Sequence, residues 1–263
     1  MNHFKKWQQQ RHDELAGFDS WLGLAGLCWL IPGVNRVGSA AGSSLLLPAG
    51  PAHLGDLLWQ DDKVFWQPSD GEIRELRTDV DGQPSTVDYE NWSFFIVDRD
   101  HRLAARLRDR NWATRRPFDG LDYFPHDPAW RIEAVWQKLA VPQNMVVPNV
   151  SGEFKSVDVA YQAIFEYQGG TVELLPMSVS DTEIFFVFRD HSSGKETYRA
   201  GRFLRVPLEG SGYFPPGAAA GKITLDFNYA FNPPCAFTPF ATCPLPPPQN
   251  WLPFAVPAGE KKP

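Results

Sequence analysis

From residue 26 onward the chain is written as short apolar runs, each closed by turn residues. "GLCWLI", "SLLLP", "HLGDLLWQ", "KVFWQP", "EIREL", "WSFFIVDR" and "HRLAARLR" follow one another, divided by Pro-Gly, Ser-Asp-Gly, Asp-Gly and Asp-His junctions. The second half keeps the style with "AWRIEAVWQKL", "SVDVAYQAIFEYQG", "GTVELLPMSV", "EIFFVFRD", "ETYRAGRFLRV" and "KITLDFN". Strand-length runs with turn chemistry between them and no helical segment in the gaps predict an all-β, mainly antiparallel sandwich or barrel-like protein. In "TEIFFVFRDHSSGKETYRAGRFLRV" two runs flank "DHSSG", which predicts a hairpin with Asp190 and Gly194 in its turn. No repeat of 20 to 50 residues interrupts the pattern, so a propeller or solenoid is not expected.

One helix precedes the strands. Phe4, Trp7, Arg11, Leu15, Phe18, Leu22 and Ala25 recur three or four apart among glutamines and charges, predicting an amphipathic helix from residue 3 to about 22 that packs on the body. "DRNWATRRPFDGLDYFPHDP", residues 109 to 128, gathers Pro, Gly and Asp between two strand-rich halves. The expected organisation is therefore a helix at 1–23, a β-sandwich lobe at 24–112 and a β lobe at 113–263, although the same stretch suits a long connection within one continuous sandwich.

At 263 residues the chain can bury about 70–75% of its unfolded surface, so neither a disulfide nor a metal is needed to fold it. A net charge of -6 without any basic run argues against a nucleic-acid or membrane surface. "MNHFKKWQQQRHDELAGF" lacks the apolar core of a secretory leader, and no apolar run approaches the ~20 residues of a membrane span. Cys28, Cys235 and Cys243 are few and odd in number, as expected of cytoplasmic thiols.

The end of the chain breaks the style. Residues 227–259 hold no Asp, Glu, Lys, Arg or His in 33 positions, although the overall 21% charge would place about seven there. Nine of the 33 are proline, which removes backbone donors and lowers the cost of burying irregular chain. A mostly extended, pre-ordered strap fixed to the β-scaffold by Phe231, Phe237, Phe240, Trp251 and Phe254 is expected. Asp226, Asn228, Asn232, Thr238, Thr242 and Asn250 on or beside it would present amide, hydroxyl and carboxyl groups from a rigid backbone, as a binding site requires. Beside proline the same residue types also make turn bonds to their own backbone.

Four segments carry a resemblance. "WLGLAGLCWLIPGVNRVGS", "PFDGLDYFP" with "WRIEA", "FRDHSSGKETYRAGRFL" and "LDFNYAFNPPCAFTPFATCPLPPPQNWLPFAVPAGEK" are similar to domain-of-unknown-function family 1684, from Trp21 to Lys261, the closing block most specifically. The resemblance implies a shared all-β fold and a shared feature around that block; it supplies no activity. Trp251 and Tyr229 stand where the family commonly carries Arg, which removes positive charge from the block. Residues 24 to 110 also resemble, distantly, the start of a forkhead-associated sandwich. Arg36-Val37-Gly38-Ser39 and "PAHLGDL" depart from its phosphothreonine grip, so phosphopeptide binding is not expected.

Cys235 and Cys243 are separated by seven intervening residues without a nearby His on the N-terminal side, unlike zinc ligands, and so short a loop gains little from a disulfide. No metal and no cofactor is expected. Either thiol would act as a nucleophile if His101, His126 or His191 approached it in space, and acidic groups at Asp119, Asp122, Asp127, Asp190 and Glu196 sit at turns. The phosphate-loop, dinucleotide, nucleophile-elbow and zinc-protease signatures are absent. The preferred expectation is a small-molecule pocket formed by the strap, for an uncharged or aromatic-bearing ligand, with Asp226, Asn228, Asn232, Asn250, Tyr198 and Arg202 facing it. The alternatives are a hydrolase or isomerase using the same pocket with Asp226 or Cys235 as base or nucleophile, and a structural or protein-interaction module.

Overall fold

The structure is a computed structural model and describes residues 3–116, 118–150, 152–208 and 220–263. Helix α1, His3–Ala16, is shorter than the apolar spacing alone predicts. At Gly17 the chain turns instead: the Ser20 amide donates to the Gly17 carbonyl at 3.1 Å, and the Ser20 hydroxyl accepts from Leu22 N–H to open a 3-10 turn at Trp21–Gly23. Phe4 and Leu15 on the helix are buried, whereas Phe18 beyond it is 56% exposed.

The chain divides into two compact units, Glu14–Phe118 and Met1–Asp13 with Asp119–Pro263. The first holds β1 Leu24–Trp29, β2 Gly33–Gly38, β3 Leu45–Leu46, β4 Gly55–Gln60, β5 Lys63–Pro68, β6 Arg74–Leu76, β7 Thr86–Tyr89, β8 Trp92–Arg99 and β9 Arg102–Asp109, followed by a single helical turn, α2, at Trp112–Arg115. Two sheets form, in the orders β3-β2-β4-β5-β6 and β1-β9-β8-β7, with every pairing antiparallel except β2 with β3. Tight turns set the register. Asp61-Asp62 between β4 and β5 and Asp100-His101 between β8 and β9 take positive φ at both central positions, the conformation whose twist matches that of paired strands. Val37, Leu57, Val64 and Trp66 from one sheet meet Phe94, Ile96, Leu103 and Leu107 from the other in one buried cluster, a sandwich core.

The second unit holds β10 Arg131–Pro148, β11 Phe154–Tyr167, β12 Gly170–Leu174, β13 Ser178–Val179, β14 Glu183–Phe188, β15 Arg202–Pro207 and β16 Ala220–Asp226. Its antiparallel sheets run β12-β11-β10-β16 and β13-β14-β15, and among the described residues neither closes into a barrel. The all-β, mainly antiparallel fold with one N-terminal helix is therefore as the turn spacing predicts. β14 and β15 pair from Glu183↔Pro207 to Phe188↔Arg202, but their connection is the long stretch 189–201 rather than a tight turn. Asp190, Ser192 and Thr197 lie buried within it. Such a connection forms because its polar side chains bond inward: Asp190 Oδ1 accepts from Ser192 N–H at 2.8 Å and from the Ser192 hydroxyl, which meets Thr197 Oγ1 at 2.8 Å.

The segment from Phe227 to the end crosses this unit as irregular chain with three 3-10 turns, Phe227–Tyr229, Pro234–Ala236 and Pro248–Asn250. From Leu252 to Ala258 burial alternates residue by residue: Leu252, Phe254, Val256 and Ala258 enter the core while Pro253, Ala255 and Pro257 face out. The two prolines fall on the outer positions, where a missing N–H leaves no bond unmade. No helix among the described residues is long and apolar enough to cross a membrane.

Candidate functional site

Two sets of bonds fix the strap. On one side it pairs with the start of the 189–201 connection: Arg189 N–H donates to Asn250 O at 3.0 Å, Leu252 N–H to Arg189 O at 2.7 Å and His191 N–H to Phe254 O at 3.0 Å. On the other side the wholly buried Arg202 guanidinium takes the place of a neighbouring strand, donating to the carbonyls of Val256 at 2.8 Å, Ala258, and Glu260 at 3.4 Å. Its charge is answered by Asp190 Oδ2 at 2.9 Å, and Asp190 Oδ1 accepts from Val256 N–H at 3.2 Å. Burial pushes the Arg202 pKa down while Asp190 and Glu260 hold it up.

The other residues singled out from the sequence lie in the same unit and bond to protein groups. Asn250 accepts from Leu175 N–H at 2.9 Å and donates to Leu175 O at 2.8 Å and Val187 O at 2.9 Å, riveting the strap to two strand ends. Asn228 makes the same kind of double bond with the Asp127 backbone, and its amide and side chain also meet Asp226 Oδ1. Asn232 donates its backbone N–H to Glu260 Oε2 at 2.7 Å and its side-chain amide to Lys261 O at 2.7 Å. Glu260 is fully buried and pairs with Arg11 Nε at 2.9 Å. Burial pushes its pKa up, against the opposing charge of Arg11. Tyr198 donates to Cys235 O at 2.8 Å, and Cys235 N–H meets Cys243 Sγ at 3.2 Å. Arg202, Asp190 and Val256 thus form one network. Asn232 joins it through Glu260, whereas Asn228 and Asp226 bond at the end of β16, and Tyr198 with Cys235 forms a separate cluster. His126 packs edge-on against Phe4 at 5.1 Å, in the aromatic group of Trp7, Tyr123 and Tyr229. Among the described residues no three His, Cys, Asp or Glu side chains are grouped to hold a metal.

Where the strap meets the 189–201 connection, a cleft of about 390 Å³ opens, lined by Arg189, Asp190, His191, Ser193, Lys195, Trp251, Leu252 and Pro253. Trp251 is 52% exposed yet held: its Nε1 donates to Pro246 O at 3.0 Å, and the Arg189 guanidinium lies 5.1 Å over its ring. An exposed tryptophan with a fixed ring is a stacking surface prepared before any ligand arrives. The cleft's charge is one-sided. The Asp190 carboxylate is turned inward to Arg202, and among the described residues none of Arg189, His191 and Lys195 has an ion-pair partner. In a chain of net charge -6 the hollow is thus largely apolar, with Arg189 and Lys195 as basic side chains at its wall.

Sequence reasoning placed the ligand groups on the strap's amides and treated the loss of arginine at Trp251 as a loss of positive charge. The basic residues that line the cleft lie in "RDHSSGK", about 60 residues earlier, whose three basic side chains within seven positions were the available signal.

Fold and cleft together define a β-rich protein with a structured proline-rich closing segment and an open, largely apolar, tryptophan-floored hollow. The chain belongs to the family described as Protein of unknown function (DUF1684), which matches residues 116–261, more than half of its length. An uncharacterized protein of Haloarcula marismortui, known from a solution NMR structure, is 34% identical over a match covering 56% of this chain and 78% of that one, with a TM-score of 0.44. No curated protein matches this chain.

Proposed function

We propose that the protein binds a small molecule carrying an anionic group on a flat apolar body, such as an aromatic carboxylate or phosphate ester, in the cleft walled by the strap. The observation that carries this reading is the held, half-exposed Trp251 beside basic side chains that have no carboxylate partner among the described residues. Trp251, with the backs of Leu252 and Pro253, would take the flat body. Arg189, Lys195 and, when protonated, His191 would take the anion, with Ser193 as an added donor. Asn250, Arg202 and Asp190 act behind the wall: they hold the strap and the 189–201 connection at fixed separation, so little ordering remains to be done on binding. The three cysteines, none joined in a disulfide among the described residues, support a reducing, cytoplasmic setting.

Thermal-shift titration with phenyl phosphate, benzoate, inorganic phosphate and benzyl alcohol tests the reading. Phenyl phosphate and benzoate should raise the Tm of the wild type, inorganic phosphate less, and benzyl alcohol not at all. Trp251→Ala and Lys195→Gln should keep the unliganded Tm within a few degrees and lose most of the response, both positions being exposed. A flat response to all four probes, or an unchanged response in both variants, would overturn it.

A further inference from the structure

Away from the cleft, the strap carries a second chemical feature, its pair of thiols. Cys235 is half-buried at the 3-10 turn Pro234–Ala236, and Cys243 is buried at 5% exposure among Val187, Phe203 and Ala241. The Cys235 N–H donates to Cys243 Sγ at 3.2 Å, which sets the second sulfur against the backbone of the first residue. The Tyr198 hydroxyl donates to the Cys235 carbonyl at 2.8 Å. We propose that Cys235 and Cys243 are a hydroperoxide-reactive dithiol, with Cys235 attacking and Cys243 resolving.

The chemistry follows from the division of exposure. Cys235 is within reach of a small oxidant. Its sulfur, as thiolate, attacks the distal oxygen of a hydroperoxide ROOH. An S–O bond forms, the O–O bond breaks, and the alkoxide leaves to take up the proton that the thiol released, giving ROH and a Cys235 sulfenic acid. The Cys243 sulfur then attacks the Cys235 sulfur. The S–S bond forms, the S–O bond breaks, and hydroxide departs with the Cys243 proton as water. Two thiols lose two electrons and the peroxide gains them. The hydrogen bond from Cys243 holds the Cys235 thiol below its ordinary pKa, with Tyr198 acting in the same sense and burial opposing both, so thiolate is more available than in a free cysteine. Cys28 supplies an internal contrast. Burial pushes its pKa up, its thiol donates to Ser44 O at 2.8 Å, and it stands in the other unit.

The test uses the full-length protein, treated at neutral pH with equimolar hydrogen peroxide and read by intact mass and peptide mapping without reduction. The wild type should lose about 2 Da, with the new bond joining Cys235 to Cys243, and recover its mass with dithiothreitol. In Cys243→Ser, dimedone should trap a sulfenic acid at Cys235. Cys235 should be oxidised at least about ten times faster than Cys28, and Cys28→Ser should change none of this. Wild-type mapping stands alone should Cys243→Ser fold poorly. Oxidation of Cys28 at an equal rate, or a wild type that gains oxygen mass or forms intermolecular links without the internal bond, would overturn the proposal.

Discussion

Asp190 joins three parts of the second unit through one buried carboxylate. Its two oxygens accept from Ser192 N–H, Ser192 Oγ, Val256 N–H and Arg202 Nη2, so one side chain ties a loop, a strand and the strap. A buried ion pair of this kind contributes little relative to an apolar replacement of both partners, but losing one partner strands the other charge. Arg202→Met should therefore lower unfolding stability by about 3–5 kcal/mol in urea melts, and the double variant Asp190→Asn, Arg202→Met should lose less than the single variant. Tyr198 gives a pH-dependent counterpart. Burial, the first cause, pushes its pKa up to about 12, above the ordinary value of 10.0. The folded state thus holds the phenol proton more tightly than the unfolded state does. Stability from this group is full below pH 10 and falls as pH rises from about 10 to about 12. Comparing wild type with Tyr198→Phe in alkaline melts should show this contribution missing from the variant.

At the scale of elements, the strap behaves as a strand with an unusual neighbour. Leu252 to Ala258 alternates in burial, and the carbonyls of Val256 and Ala258 are taken by a guanidinium in place of a paired strand. Asn250 stands at the entry to that run, and Asn250→Ala would leave Leu175 N–H and two carbonyls buried without partners. At least about 2 kcal/mol of stability should be lost. Hydrogen exchange should quicken first at the amides of Arg189, His191 and Leu252, which bond across the seam; uniform quickening over the whole unit would contradict the seam. The strap's packing was legible because its cause is local in the sequence: a run without charge, with prolines that need no partners. Its bonding was not legible, because Arg202 and Asp190 lie far up the chain, and the inward turn of their charges depends on the folded 189–201 connection. The hairpin reading of "DHSSG" met the same limit. The strands pair as their apolar runs predict, but Ser192 and Thr197 find partners that only the tertiary structure brings near. On the helix, apolar spacing continued past Ala16 while Gly17 supplied a turn, and spacing alone does not register that competition.

For the whole molecule, charge sets the prediction. The protein carries a net -6, so an anion bound as proposed meets general repulsion that Arg189 and Lys195 at the cleft must offset. Phenyl phosphate affinity should weaken several-fold when ionic strength rises from about 0.05 M to about 0.3 M, because exposed charges a Debye length apart are screened. Calorimetric titration at the two salts would check this, and a salt-independent constant would point to stacking alone. The antiparallel β fold was readable from alternating runs and turn residues. The cleft was not, since Arg189 and Trp251 are 62 positions apart and are brought together by the folded chain, through a backbone bridge and the guanidinium over the ring. The most direct measurement is an amide and indole NMR titration of the labelled protein with phenyl phosphate. The Trp251 indole and the amides of 189–195 and 251–253 should shift together and saturably, with the rest of the spectrum nearly still. Shifts confined to other residues, or none at millimolar ligand, would contradict a strap-walled anion site.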